Sequence, residues 1–103
     1  MNVFEGIPYE ARAMGKRFIV DKDHVKLIQV ALRPGQGVPQ HKTNGDVYIL
    51  VLDGEIMINL RGNESTEKKG AIIPVGYDTS MSIENRSQND STFLIIKTPA
   101  PEA

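Results

Sequence analysis

A chain of 103 residues, 40% of them hydrophobic, is long enough for one domain with a modest core and too short for two. Its 12 Lys and Arg against 13 Asp and Glu provide no basic field for a phosphate backbone, and the adjacent basic pairs, Lys16-Arg17 and Lys68-Lys69, read as solvated faces, so no nucleic-acid partner is expected. The absence of cysteine excludes disulfides, thiolate nucleophiles and thiolate metal sites.

No apolar run approaches the roughly 20 residues of a membrane helix. The start, MNVFEG, has no apolar stretch of the secretory kind. A cytoplasmic protein with no membrane partner is therefore expected.

Residues 1–15 carry little pattern and are expected to form an irregular arm. Lys16 to Val20 is a short run of strand formers, and Asp21-Lys22-Asp23 reads as a turn. His24 to Arg33 is a long strand candidate with apolar residues on both parities, as in a sheet covered on two sides. Pro34-Gly35 ends it, and Gly37 and Pro39 predict an irregular stretch. Asn44-Gly45 is a turn signal.

Val47 to Leu52, Asp53-Gly54 and Glu55 to Arg61 together predict a β-hairpin that pairs Val51 with Ile56 and Ile49 with Ile58. On that reading Ile49, Val51, Ile56, Ile58 and Leu60 face the interior. Glu55, Met57, Asn59 and Arg61 face outward. Tyr48, Leu50 and Leu52 make a second apolar row outside, which needs a cover. Gly62 to Lys69 reads as a polar connection. Gly70 to Val75, Thr79 to Glu84 and Thr92 to Lys97 are three more short strands. The stretch from Thr98 to Ala103 is expected to fray. Many short strands punctuated by Gly, Pro, Asn and Asp mean an all-β sandwich or barrel, with a single domain over 1–103 and its barrel over 16–97.

Two segments carry something more specific. PGQGVPQHKTNGDVYILVLDG, residues 34–54, resembles the first motif of the cupin superfamily. GAIIPVGYDTSMSIEN, residues 70–85, resembles the second. The resemblance implies an RmlC-like jelly-roll barrel, the cupin double-stranded β-helix, commonly dimeric. Many members hold a divalent metal on three histidines and a glutamate. Residue by residue, those four positions fall at His41, Thr43, Val47 and Thr79. Only His41 keeps a ligand type. Threonine hydroxyls are weak neutral donors and valine has none. Asp46 lies one residue from Val47, and a one-residue slip along a strand reverses the side chain. The metal motif thus reads as degenerate, and no metal or other cofactor is expected.

The candidate ligand-binding residues are His41, Thr43 and Thr79 at one end of the barrel, with Met81 and Ile58 on its apolar wall. His41 is equally readable as a structural histidine of its loop. His24, beside Asp21 and Asp23, reads as an exposed or ion-paired histidine. Three functional classes stay open. The first is metal-free binding of a small molecule, and the second a structural or protein-interaction module with a filled barrel. The third is a small enzyme of dioxygenase or isomerase type with an atypical site. A homodimer is expected, because the row Tyr48, Leu50, Leu52 needs a cover and the resemblance implies the same. An open cavity of about 300 Å³ beside His41 would favour binding or catalysis, and a packed interior would favour the scaffold.

Overall fold

The structure, a computed structural model, describes residues 1–100. Nine strands carry the fold: β1 Gly15–Lys22, β2 Val25–Leu32, β3 Gly37–Lys42, β4 Val47–Asp53, β5 Glu55–Leu60, β6 Asn63–Lys68, β7 Ile72–Val75, β8 Ser80–Glu84 and β9 Ser91–Lys97. One sheet has the order β1-β2-β9-β4-β7 and the other β3-β8-β5-β6, with antiparallel pairing throughout. They pack face to face as a jelly roll. We call them the five-stranded and the four-stranded sheet. No helix among the described residues is long and apolar enough to cross a membrane.

Strand alternation fills the space between the sheets. Ile28, Val30, Leu32, Val47, Ile49, Val51 and Phe93 point in from the five-stranded sheet, and Ile56, Ile58, Met81 and Ile83 from the other. Ile49, Ile56, Ile58, Ile83 and Phe93 are completely buried. Leu60, also expected inside, is half-buried and packs against this cluster.

The Asp53-Gly54 segment corrects the sequence reading. β4 pairs with β7 and β9, whereas β5 pairs with β6 and β8. The two strands are not a hairpin; the chain changes sheets between them. Gly54 has φ 74°, and a side chain there would meet the Asp90 carbonyl at 2.5 Å. Ser91 Oγ donates to the Glu55 carbonyl at 2.6 Å and stitches the corner. Asp-Gly suits a corner for the reason it suits a hairpin, a positive φ. The inward set Ile49, Val51, Ile56 and Ile58 survives, because parity along each strand does not depend on which strand lies beside it.

Three further expectations change. Residues 37–42 are not irregular but form edge strand β3, which tolerates Pro39 because an edge leaves one side of the ladder free. Residues 63–68 are not a connection but the polar edge strand β6. Met57 has outward parity as expected, yet is only 6% exposed. Glu64, Thr66 and Arg86 wall the surface hollow in which it sits.

At the chain's far end Thr98 is pinned rather than frayed. Its N–H and hydroxyl both donate to the Asp46 carbonyl, at 2.9 and 3.1 Å. Residues 101–103 of the expected tail lie outside the described residues.

The arm is held as well. Arg17 donates to the carbonyls of Glu5 and Gly6 at 3.0 and 2.9 Å. Its Nε donates to Gln29 Oε1 at 2.9 Å. Gln29 Nε2 in turn donates to the Val3 carbonyl at 2.8 Å and to Thr92 Oγ1 at 3.0 Å. This relay satisfies a glutamine that is wholly buried within a strand, and it lays the arm over one part of the five-stranded sheet's outer face.

Candidate functional site

The candidate binding residues come from three strands and two loops. His41 lies on β3 opposite Met81 of β8, and Met81 also pairs with Leu60 of β5. His41 therefore has inward parity, but it sits on an edge strand and is exposed. Its Nδ1 lies 3.0 Å from the Pro39 carbonyl, which can only accept, so Nδ1 is the donor. His24 is exposed in the turn between β1 and β2.

Thr43 and Thr79 are brought together and buried, at 4% and 7% exposure. The Thr43 hydroxyl donates to the Gly76 carbonyl at 2.6 Å and accepts the Thr79 N–H at 2.9 Å. The Thr43 N–H donates to the Thr79 carbonyl at 3.0 Å, and the Asp78 N–H to the Thr43 carbonyl at 2.9 Å. Asp46 Oδ1 accepts the Tyr77 N–H at 3.1 Å. The loop from Gly76 to Thr79 is thus wrapped around Thr43 and fastened on both sides. His41 takes no part in this clip.

These donors do not suit a divalent cation. Val47 has no ligand atom, the Thr43 hydroxyl is spent on loop backbone, and the Asp46 carboxylate holds Tyr77. Among the described residues no three His, Cys, Asp or Glu side chains cluster in a way that would hold a metal ion.

The barrel wall behind the clip is solid. Ile58 and Met81 are 0% and 1% exposed. Among the described residues, five prominent hollows of about 160–480 Å³ are lined by none of His41, Thr43, Thr79, Met81 and Ile58.

Sequence reasoning missed two buried polar residues with evident work. One is Gln29, the polar member of an otherwise apolar stretch, which anchors the arm. The other is Asn85, fully buried. Its Nδ2 donates to the carbonyls of Leu32 and Asn89 at 3.0 and 2.7 Å. Its Oδ1 accepts the Ser87 N–H and hydroxyl at 3.0 and 2.7 Å. It fastens the turn after β8 to the end of β2. For Gln29 the signal is a polar residue flanked by the core positions Ile28 and Val30; for Asn85 it is the continuation of the inward parity of Met81 and Ile83.

The outer face of the five-stranded sheet is the other notable surface. Tyr48 lies beside Ile96, which pairs with Leu27 on its far side; Leu50 lies between Leu94 and Ile72. These rows cross β2, β9, β4 and β7 without a charge. Tyr48 is 42% and Ile72 65% exposed.

No protein-family model matches the chain. An uncharacterized protein of Methanocaldococcus jannaschii is 28% identical over 99 residues, covering 91% of this chain and 85% of that protein. A crystal structure from the same organism, described as an RmlC-like cupin family protein with a double-stranded β-helix fold, superposes with a TM-score of 0.80. The two are 26% identical, and the match covers 89% of this chain and 85% of that one. A Thermotoga maritima protein described as a predicted oxalate decarboxylase has a TM-score of 0.74 and 26% identity over 82% of this chain and 80% of its own. A Klebsiella pneumoniae protein with a double-stranded β-helix domain matches in fold, with a TM-score of 0.88 and 15% identity over 100% of this chain and 91% of its own.

Proposed function

We propose that this chain, a cupin-superfamily domain with a degenerate metal motif, works as a structural and interaction module that associates as a homodimer through the outer face of its five-stranded sheet. The observation that carries this reading is the contrast between the filled interior and the apolar exterior. Core side chains at or near 0% exposure occupy the volume where a cupin ligand would sit. The Thr43 clip occupies its polar end. A metal-free enzyme needs a positioned base beside a polarising group, and His41 is bonded to Pro39 rather than to either threonine.

The outer rows of Leu27, Ile96, Tyr48, Leu50, Leu94 and Ile72 supply what an interface needs, a contiguous apolar surface free of charge. A second copy is the fitting occupant. A two-fold contact places the same flat face on both sides, and a net charge of −1 sets up little repulsion between copies.

The test is solution mass by light scattering across micromolar concentrations. The wild type is expected at twice the chain mass and Leu50→Arg at the chain mass. A monomeric wild type overturns the reading. The metal-free binding class is tested alongside by following the His41, Thr43 and Thr79 resonances during titration with a library of small metabolites. Saturable shifts confined to those residues would favour binding over the scaffold, because a ligand there must open the clip.

A further inference from the structure

At one rim of the barrel two lysines are held face to face. Lys26 on β2 and Lys97 on β9 are direct partners in the register, two residues beyond the inward pair Ile28 and Ile95. Both therefore continue the inner face of the five-stranded sheet to its end. Like charges directly opposed across a ladder are destabilising, so the pair needs a counter-charge. Lys26 has a partial one, Asp21 at 3.4 Å, with both groups largely solvated. Lys97 is half-buried and makes no ion pair among the described residues.

A hollow of about 170 Å³ opens between them, lined by Asp23, Lys26, Asn44, Lys97, Thr98 and Pro99. Its walls are fixed. Thr98 is doubly bonded to the Asp46 carbonyl. A side chain on Gly45 would stand 2.0 Å from the Thr98 carbonyl, so the turn that carries Asn44 rests directly on Thr98. The Thr98 N–H and hydroxyl are both committed. Among the described residues, the donors of the lining that have no partner are the Lys97 ammonium and the Asn44 amide, with the Lys26 protons beyond the Asp21 contact.

We propose that this rim hollow binds a small, multiply charged oxyanion, of which inorganic phosphate is the simplest. Two ammonium groups from adjacent strands supply charge-assisted hydrogen bonds to different oxygens of one anion, and its charge relieves their mutual repulsion. The hollow itself holds an anion of a few heavy atoms. Asp23, in the same lining, competes with the anion for the lysines and weakens its binding. This site adjoins the Thr43 clip, since Asn44 follows Thr43, Lys97 is the register partner of Val47 and Thr98 is bonded to Asp46; it lies on the other side of the sheet from the proposed dimer face.

The experiment titrates inorganic phosphate into the isotope-labelled full chain, followed by NMR, beside a sodium chloride titration of equal ionic strength. Saturable shifts at Lys26, Asn44, Lys97 and Thr98 are expected with phosphate and not with chloride. Lys97→Met should weaken binding about tenfold, as the loss of one charge-assisted hydrogen bond implies, and Asp23→Asn should tighten it. Where Lys97→Met moves resonances away from the rim, Lys26→Met serves instead. Linear shifts that chloride reproduces, or affinity unchanged in both lysine variants, overturn the proposal. Leu50→Arg, which tests the dimer, should leave phosphate binding intact.

Discussion

The two sheets share one core but present opposite faces to the outside. On the four-stranded sheet the outward row runs through Met57, Asn59, Ser82, Glu84, Glu64 and Thr66. Arg86 closes it by donating to both oxygens of Glu64 at 3.0 and 3.2 Å and to Glu84 at 3.1 Å. The bonds to Glu64, then those to Glu84, raise the guanidinium pKa further above its already high ordinary value. On the five-stranded sheet the equivalent rows are aliphatic and aromatic. A domain that worked only through its interior would have no use for that asymmetry. One face is polar, and the other leaves large apolar side chains such as Tyr48 and Ile72 exposed.

The largest effects should ignore the comparison, because the core belongs to both sheets. Phe93→Ala, from the five-stranded side, is expected to cost about 3–5 kcal/mol, and Ile58→Ala, from the other, about 2–5 kcal/mol. Denaturant unfolding measures both, and a negligible cost for either would mean that its sheet does not contribute to a common core. Next comes Thr43→Val, which strands the Gly76 carbonyl and the Thr79 N–H. About 1–3 kcal/mol is expected, with faster amide exchange confined to residues 76–79. Unchanged exchange there would remove the clip from the account.

The outer faces separate the sheets. Leu50→Arg should convert the dimer to monomer, whereas Ser82→Arg, at an outward position of the four-stranded sheet, should leave the mass unchanged. Equal effects from the two variants would erase the distinction drawn between the faces.

The smallest effect lies at alkaline pH. Burial, then the nearby Asp90 and Asp53 carboxylates, raises the Tyr9 pKa, against the Arg33 charge that lowers it. The folded state therefore keeps the phenol proton longer than the unfolded chain. That contribution is complete below the unfolded pKa of about 10 and is lost as pH rises through the folded value. Tyr9→Phe should flatten the decline of stability above pH ~10 in alkaline unfolding curves; an identical decline in the variant would assign it to other groups.

Much of the fold was legible because alternation is local. Ile49, Val51, Ile56 and Ile58 reach the core whether β4 and β5 pair or not. The Asp53-Gly54 corner was not legible, since the same dipeptide serves a hairpin and a change of sheet, and only the long-range pairing of β5 with β8 decides between them. Edge strands β3 and β6 escaped because a strand with one free side needs neither apolar residues nor an unbroken run of N–H donors. The degenerate metal motif could be read residue by residue from Thr43, Val47 and Thr79. The wrapping of Gly76–Thr79 around Thr43 could not, because it depends on backbone groups that are the same at every position.

The arm shows where this chain can tolerate change. Arg17 and Gln29 reach the arm only at main-chain carbonyls, those of Asn2, Val3, Glu5 and Gly6 at 2.8–3.4 Å. A latch that grips carbonyl oxygens does not discriminate among side chains. Several of the first residues can therefore be rewritten with the docking preserved, apart from Gly6, which sits at φ 60°, and Asn2, whose side chain accepts the Phe4 N–H at 2.8 Å. Arg17 and Gln29 have no such latitude: shortening either one releases a segment that neither of them recognises by its sequence.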